Sequence, residues 1–271
     1  MALSQERRRF PRVVRPAAIG SIDSDASALD RAVAADVLLR HLFVPPAQPV
    51  KGIEYAAIYR FAEKHSGGDV IDVYTCGKGG VCVTLTDISG KGVGAALHAG
   101  LVKYGIRAYA SEEHSPRRIL RALNRFYSEN DTFEGTDSFA SIFFAHYDAR
   151  KRSLVYASAG HEGLLFCPPG GETIVLGITG PVVGVIADSP TLYTDHRFTV
   201  LPGSVLVAVS DGITEARTDG NLYGMERLID MVQRYRERSM EDLACAVARA
   251  AAAFANNRII DDMAVLAVRF E

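Results

Sequence analysis

The stretch TLTDISGKGVGAAL at positions 84–97 decides the fold. It opens on the end of an apolar, β-branched run at 81–85, which has the length and composition of a buried strand. The run closes on a carboxylate, Asp87. Ser89, Gly90, Lys91, Gly92 and Gly94 then give a glycine-rich turn, and Ala95 and Ala96 begin a helix whose small residues allow close packing. A carboxylate at a strand's rim, backed by such a turn, suits a site where charge and backbone approach a phosphate or a metal closely.

Three other stretches repeat the pattern. The apolar run 206–210 ends in Asp211-Gly212, Gly67-Gly68-Asp69 opens the run 70–74, and Asp261-Asp262 opens the run 263–270. Two acids close strands and two open them. Antiparallel pairing sets the end of one strand beside the start of its neighbour. The four acids are therefore expected along one edge of a sheet, where their repulsion calls for cations.

Around these runs the chain reads as strands at 54–61, 70–76, 81–87, 138–147, 153–159, 163–167, 172–175, 205–210 and 263–270. Helices are expected at 93–110, from Ser115 as N-cap with Pro116 at the first helical position, at 224–236 and at 239–255. Ser239 and Asp242 frame a capping box. Strands come in blocks and helices in consecutive pairs, with no βαβ alternation. The fold class is therefore α+β, a four-layer α-β-β-α sandwich of two mainly antiparallel sheets flanked by helix pairs. Three segments are expected: a basic, disordered tail at 1–20 carrying Arg7, Arg8, Arg9, Arg12 and Arg15, a helix and linker at 21–44, and one domain at 45–271. In the second segment Ser27 opens a capping box and Leu29, Val33 and Val37 form an apolar stripe. That stripe either packs on its own domain or pairs with a second copy, as a homodimer.

Bulk composition excludes several classes. With 271 residues, 48% hydrophobic, the chain can bury one substantial core. A net charge of −2 supplies no general field for nucleic acid or an anionic membrane. No leader peptide or membrane span is read. The four cysteines (Cys76, Cys82, Cys167, Cys245) show no C-x-x-C pair and read mostly as small core residues, which fits a reducing, cytoplasmic setting.

Aspartate oxygens suit hard cations such as Mg²⁺ or Mn²⁺, and none of the seven histidines shows a zinc-ligand spacing. Two such ions, about 3.5–4 Å apart, can support in-line displacement at phosphorus. Asp87 is the best bridging candidate, with a backbone carbonyl such as that of Ile88 joining it. The rival phosphate-loop reading fails, because it needs glycine and Ser or Thr where the chain has Leu85 and Gly92. Nucleophilic serine catalysis lacks the G-x-S-x-G elbow.

Taken together, Ser66-Gly67-Gly68-Asp69-x-x-Asp72 and Thr86-Asp87-Ile88-Ser89-Gly90-Lys91-Gly92 resemble the PPM-type metal-dependent serine/threonine protein phosphatases, in their bacterial SpoIIE/RsbU-like branch. The likeness continues through Phe139 to Phe143, Ala159-Gly160-His161, Ser210 to Ala216, Tyr223-Gly224 and Asp261-Asp262-Met263. It implies two Mn²⁺ or Mg²⁺ ions and a metal-activated water attacking phosphoserine or phosphothreonine in a protein, for instance an anti-sigma-factor antagonist. By position it implies that Asp69, Asp87, Ile88, Asp211 and Asp261 hold the metals, with Asp87 and Asp211 catalytic through the bound water. Asp72 and Asp262 would orient ligands or waters from behind. Ser89 stands where eukaryotic relatives carry a histidine, which questions acid assistance to the leaving group. Ala264 and Glu162-Gly163 also depart from the commoner threonine and Asn-Pro. His161 is left open between fixing a turn and serving the site. The alternative is a phosphatase-like binding module without turnover.

Overall fold

In the computed structural model the described residues are 42–45, 48–62, 67–77, 79–90, 93–129 and 139–271, all within the unit Leu39–Glu271. The basic tail, the Leu29/Val33/Val37 stripe, Ser66 and Lys91-Gly92 lie outside them.

Twelve strands and five helices occur among these residues. One sheet has the order β1-β12-β9-β6-β7, built from β1 (Ile53–Arg60), β6 (Leu164–Cys167), β7 (Ile174–Val175), β9 (Val205–Val209) and β12 (Met263–Phe270). The other has the order β2-β3-β4-β5-β8, from β2 (Val70–Cys76), β3 (Gly80–Ile88), β4 (Ala140–Asp148), β5 (Ser153–Ala159) and β8 (His196–Thr199). Every pairing within the two sheets is antiparallel. A small ribbon, β10 (Arg217–Thr218) with β11 (Asn221–Leu222), stands apart.

Period-two alternation explains the layers. On β2 and β3 the odd-numbered Ile71, Val73, Val81, Val83 and Leu85 meet Leu206, Leu266 and Phe270 of the facing sheet and form the sandwich interior. The opposite face of this sheet, with Val70, Cys82, Ile142 and Phe144, is covered by helices α1 (Val93–Ala110) and α2 (Pro116–Glu129) through Val102, Ile106 and Leu120. The outer face of the first sheet, with Val207, Val265 and Ala267, is covered by α4 (Gly224–Tyr235) and α5 (Met240–Phe254) through Val232, Leu243 and Val247. A single-turn helix, α3 (Asp211–Thr214), follows β9. The expected four-layer α-β-β-α sandwich is the fold.

Two local expectations change. The first free amide of α2, that of Arg117, is accepted by Asp195 Oδ1 at 2.7 Å, while the Ser115 hydroxyl donates to Asp195 Oδ2 at 2.7 Å. Ser115 holds the N-cap position as read, its carbonyl accepting from Ile119 N at 3.1 Å, but the side chain that accepts the helix amide is an aspartate 80 residues away in sequence. Ser239 behaves as read: its hydroxyl oxygen accepts from Asp242 N at 3.1 Å. Cys76 and Cys82 are not separate core residues but are joined by a disulfide. The hairpin register sets Cys76 against Gly80 and Tyr74 against Cys82, so the two sulfurs meet diagonally on one face.

Candidate metal centre

The acids gather as two pairs, one from each sheet, rather than along one sheet. In the β2–β3 register Val70 faces Thr86, which places Asp69, just before β2, beside Asp87 near the end of β3. In the β9–β12 register Val209 faces Val265, and Ser210 N donates to Ala264 O at 3.0 Å, which brings Asp211 beside the Asp261-Asp262 approach to β12. Stacking the sheets sets these two strand ends across from each other. Asp69, Asp87, Ile88, Asp211, Asp261 and Asp262 all line one cleft of about 240 Å³.

Glycine lets the walls close. A Cβ at Gly68 would stand 2.7 Å from the Ile88 carbonyl oxygen, and one at Gly212 would overlap the Asp262 carbonyl. Ile88 N in turn donates to Gly68 O at 3.2 Å, which fixes the Ile88 peptide in the cleft wall. Gly90 turns the chain away from β3 with φ +100°, a conformation that favours glycine.

Acidic charge is concentrated here. Burial holds the Asp69 carboxyl well above the usual carboxylate range, and the charges of Asp87, Asp262 and Asp211 push the same way. Asp87 is pushed up to about 7, first by burial and then by Asp211, Asp261 and Asp262. Asp87 thus faces the acids carried by the opposite sheet. Asp69 Oδ2 is buried with no hydrogen-bond partner. A buried carboxylate oxygen left without a donor is costly. An all-oxygen set of carboxylates and one peptide carbonyl fits Mg²⁺ or Mn²⁺. The residues present therefore fit such ions.

The two supporting acids differ. Asp262 is 3% exposed and its oxygens are engaged: Tyr59 Oη donates to Oδ2 at 2.6 Å and Ala62 N to Oδ1 at 2.9 Å. Its amide donates to Asp261 Oδ1 at 3.0 Å, so it aims the neighbouring acid. Asp72 is not brought to the cleft. It lies on the helix-facing side of β2, where Arg107 of α1 grips both its oxygens at 2.6 and 2.8 Å. The expectation that Asp72 orients ligands or waters is corrected accordingly. With only two residues between them, Asp69 lies just outside the strand whereas Asp72 is fixed inside it.

Sequence reading missed Ser141, Ser210 and Tyr59. Ser141 sits opposite Asp87 on β4 and shares a 2.8 Å hydrogen bond with His161 Nδ1. Burial pulls the His161 ring down to about 4, so it is neutral at physiological pH. Its place is therefore beside the site, holding Ser141, and the two line a second cleft of about 440 Å³ that shares Asp87 and Asp211 with the first. Ser210 ties β9 to β12, donating to Asp262 O at 3.1 Å and accepting from Ala264 N at 2.9 Å. The position of Ser141 in its motif was legible, but its partner, 20 residues on, was not.

Residues 77–271 match the sequence profile of the family described as Stage II sporulation protein E (SpoIIE). The chain belongs to the SpoIIE family. Among relatives, it is 25% identical over 193 residues to the phosphoserine phosphatase RsbU of Bacillus subtilis, covering 71% of this chain and 56% of that protein. It is 28% identical over 214 residues to Protein IcfG of Synechocystis, covering 69% of this chain and 33% of that protein. This SpoIIE-family chain therefore spans about half or less of these relatives. Among solved structures, the SiaA-PP2C domain of Pseudomonas aeruginosa superposes with TM-score 0.73 at 20% identity, covering 90% of this chain and 99% of that one. The layered sandwich is thus the PP2C-type fold. No helix among the described residues is long and apolar enough to cross a membrane.

Proposed function

We propose that this chain is a metal-dependent phosphoprotein phosphatase that hydrolyses phosphoserine or phosphothreonine in a regulatory protein partner. One observation carries the reading: four acids from distant parts of the chain converge on one cleft with a buried, unpartnered carboxylate oxygen among them. A fold needs no such arrangement for its own stability. A binding module without turnover would be better served by neutral residues there.

Asp69, Asp87, Asp211, Asp261 and the Ile88 carbonyl would hold two Mg²⁺ or Mn²⁺ ions, with Asp87 shared between them. When bound, such ions supply the acidity that makes water a nucleophile at neutral pH and offset the charge of the phosphoryl group. The chain's own groups do the rest. Asp262 keeps Asp261 aimed through its amide, and Gly68 admits the Ile88 carbonyl to the wall. Ser141, held by a neutral His161, offers a hydroxyl beside Asp87. The Ser89 hydroxyl oxygen accepts from Phe139 N at 2.8 Å, and Ser89 supplies no imidazole to the leaving group. The larger adjoining cleft, with Leu222 and Met225 on its wall, suits the peptide around a phosphorylated side chain. An anti-sigma-factor antagonist is a substrate of this class, in keeping with the resemblance to the RsbU-like branch.

Phosphoprotein and p-nitrophenyl phosphate turnover, each with Mn²⁺ and with a chelator, tests the proposal. Turnover is expected only with the metal and is lost in Asp87→Asn and Asp211→Asn. Full activity in both variants, or none in the parent with any divalent cation, would overturn it.

A further inference from the structure

β2 leaves the acidic cleft at Asp69 and ends at Cys76, about 20 Å away at strand rise. At that far end a second group of ligating side chains meets. Cys76, His114 and His146 bring a sulfur and two imidazole nitrogens within 4.8 Å of one another. Cys82, joined to Cys76, lies directly opposite His146 in the β3–β4 register. His114 arrives from the loop between α1 and α2 and stacks on His146, with ring centroids 4.9 Å apart and planes inclined by 9°.

Space is kept for these rings. A Cβ at Gly77 would stand 2.6 Å from His114 Cε1, and one at Gly80 would overlap His146 Nε2. Both glycines flank the hairpin turn that carries the cysteines. No described residue hydrogen-bonds to either ring. Two thiolates and two imidazoles are the set that zinc takes in closed tetrahedral sites, and are poorly matched to magnesium. The tetrahedron of such a site has edges of about 3.3–3.8 Å. For Cys76, His114 and His146, contraction from within 4.8 Å asks for a small shift of the exposed His114 loop, and Cys82 has to swing its sulfur toward them once it is freed from Cys76.

We propose that, once the Cys76–Cys82 bond is reduced, Cys76, Cys82, His114 and His146 bind one Zn²⁺ ion at the end of the sheet remote from the acidic cleft. The chemistry balances with a dithiol as reductant. The dithiol gives two electrons and two protons, the Cys76–Cys82 bond breaks, and a new disulfide forms within the reductant. Zinc binding then releases the two thiol protons to solvent, the histidines ligate as neutral rings, and the metal's oxidation state does not change. The ion ties the α1–α2 loop to the β2–β3 hairpin, a link that the disulfide alone does not make.

The test uses the full chain, reduced with dithiothreitol under anaerobic conditions, loaded with Zn²⁺ or Co²⁺ and desalted. About one zinc per chain is expected to remain, and cobalt is expected to give thiolate charge-transfer absorption with tetrahedral visible bands. Asp87→Asn, which disables the acidic cleft, should retain both signals. Cys76→Ser and His114→Ala should each lower zinc retention at least tenfold, and the oxidised parent should retain none. His114 is exposed, so its replacement leaves the fold intact even where that of Cys76 does not. No retained zinc in the reduced parent, or undiminished retention in His114→Ala, or loss of retention in Asp87→Asn would each overturn the proposal.

Discussion

Replacing Asp87 with asparagine should remove activity and at the same time stabilise the metal-free protein. In that state Asp87 ionises near 7 rather than near 3.8, because burial and the charges of Asp211, Asp261 and Asp262 oppose its negative form. Each pH unit of delay corresponds to about 1.4 kcal/mol, so the ionised group withholds at most about 4 kcal/mol from the fold. The sign follows from linkage: between 3.8 and 7 the folded chain holds a proton that the unfolded chain has lost. Stability of the metal-free parent therefore falls as pH rises through this window. Asparagine keeps the shape and the burial but has no charge to place, so about half of the penalty, roughly 2 kcal/mol, should be recovered at pH 8. For a domain of this size that raises Tm by about 4–8 °C. Differential scanning calorimetry in chelator at pH 8 and pH 5 measures it. The gain should be large at pH 8 and shrink towards pH 5, where the parent's Asp87 is already protonated. Excess Mn²⁺ should reverse the order, because only the parent binds it well. An equal or lower Tm for Asp87→Asn in chelator at pH 8 would refute the reasoning, since the cluster would then carry no electrostatic strain.

Three further outcomes follow from neighbouring contacts. Gly68→Ala, whose Cβ would press on the Ile88 carbonyl, should raise the Mn²⁺ concentration needed for half-maximal activity about tenfold or more, with a smaller effect on Tm; metal titration of turnover reads this. Asp262→Ala strips the partners from Tyr59 Oη and Ala62 N and should cost about 2–3 kcal/mol in urea unfolding, whereas Tyr59→Phe should cost about 1–2 kcal/mol. Arg107→Ala leaves the Asp72 carboxylate buried without its bidentate partner and should cost about 3 kcal/mol while leaving the Mn²⁺ dependence of turnover unchanged, which separates this pair from the cleft.

What the sequence disclosed depended on how local the controlling physics was. The strands 70–76, 153–159 and 263–270 and the helix 93–110 emerge with the bounds read from pattern, since alternation or helical spacing together with a turn residue fixes each within its own few residues. Asp69, Asp87, Asp211 and Asp261 could be singled out because each adjoins an apolar run. That they form pairs on two sheets depends instead on stacking, which no strand announces. Asp195 capping α2, Arg107 gripping Asp72 and His161 holding Ser141 are contacts spanning 20 to 80 residues, and their sequence neighbourhoods carry no trace of them. The Cys76–Cys82 bond was closer to legible. A tight turn at Gly77 and Gly79 fixes the β2–β3 register, and that register places the second cysteine diagonally across from the first. Reading Asp72 with Asp69 failed for an equally physical reason. A strand residue's surroundings are set by the face it points to, and β2 turns Asp72 toward α1, where a guanidinium already supplies the positive charge that the cleft must obtain from outside the chain.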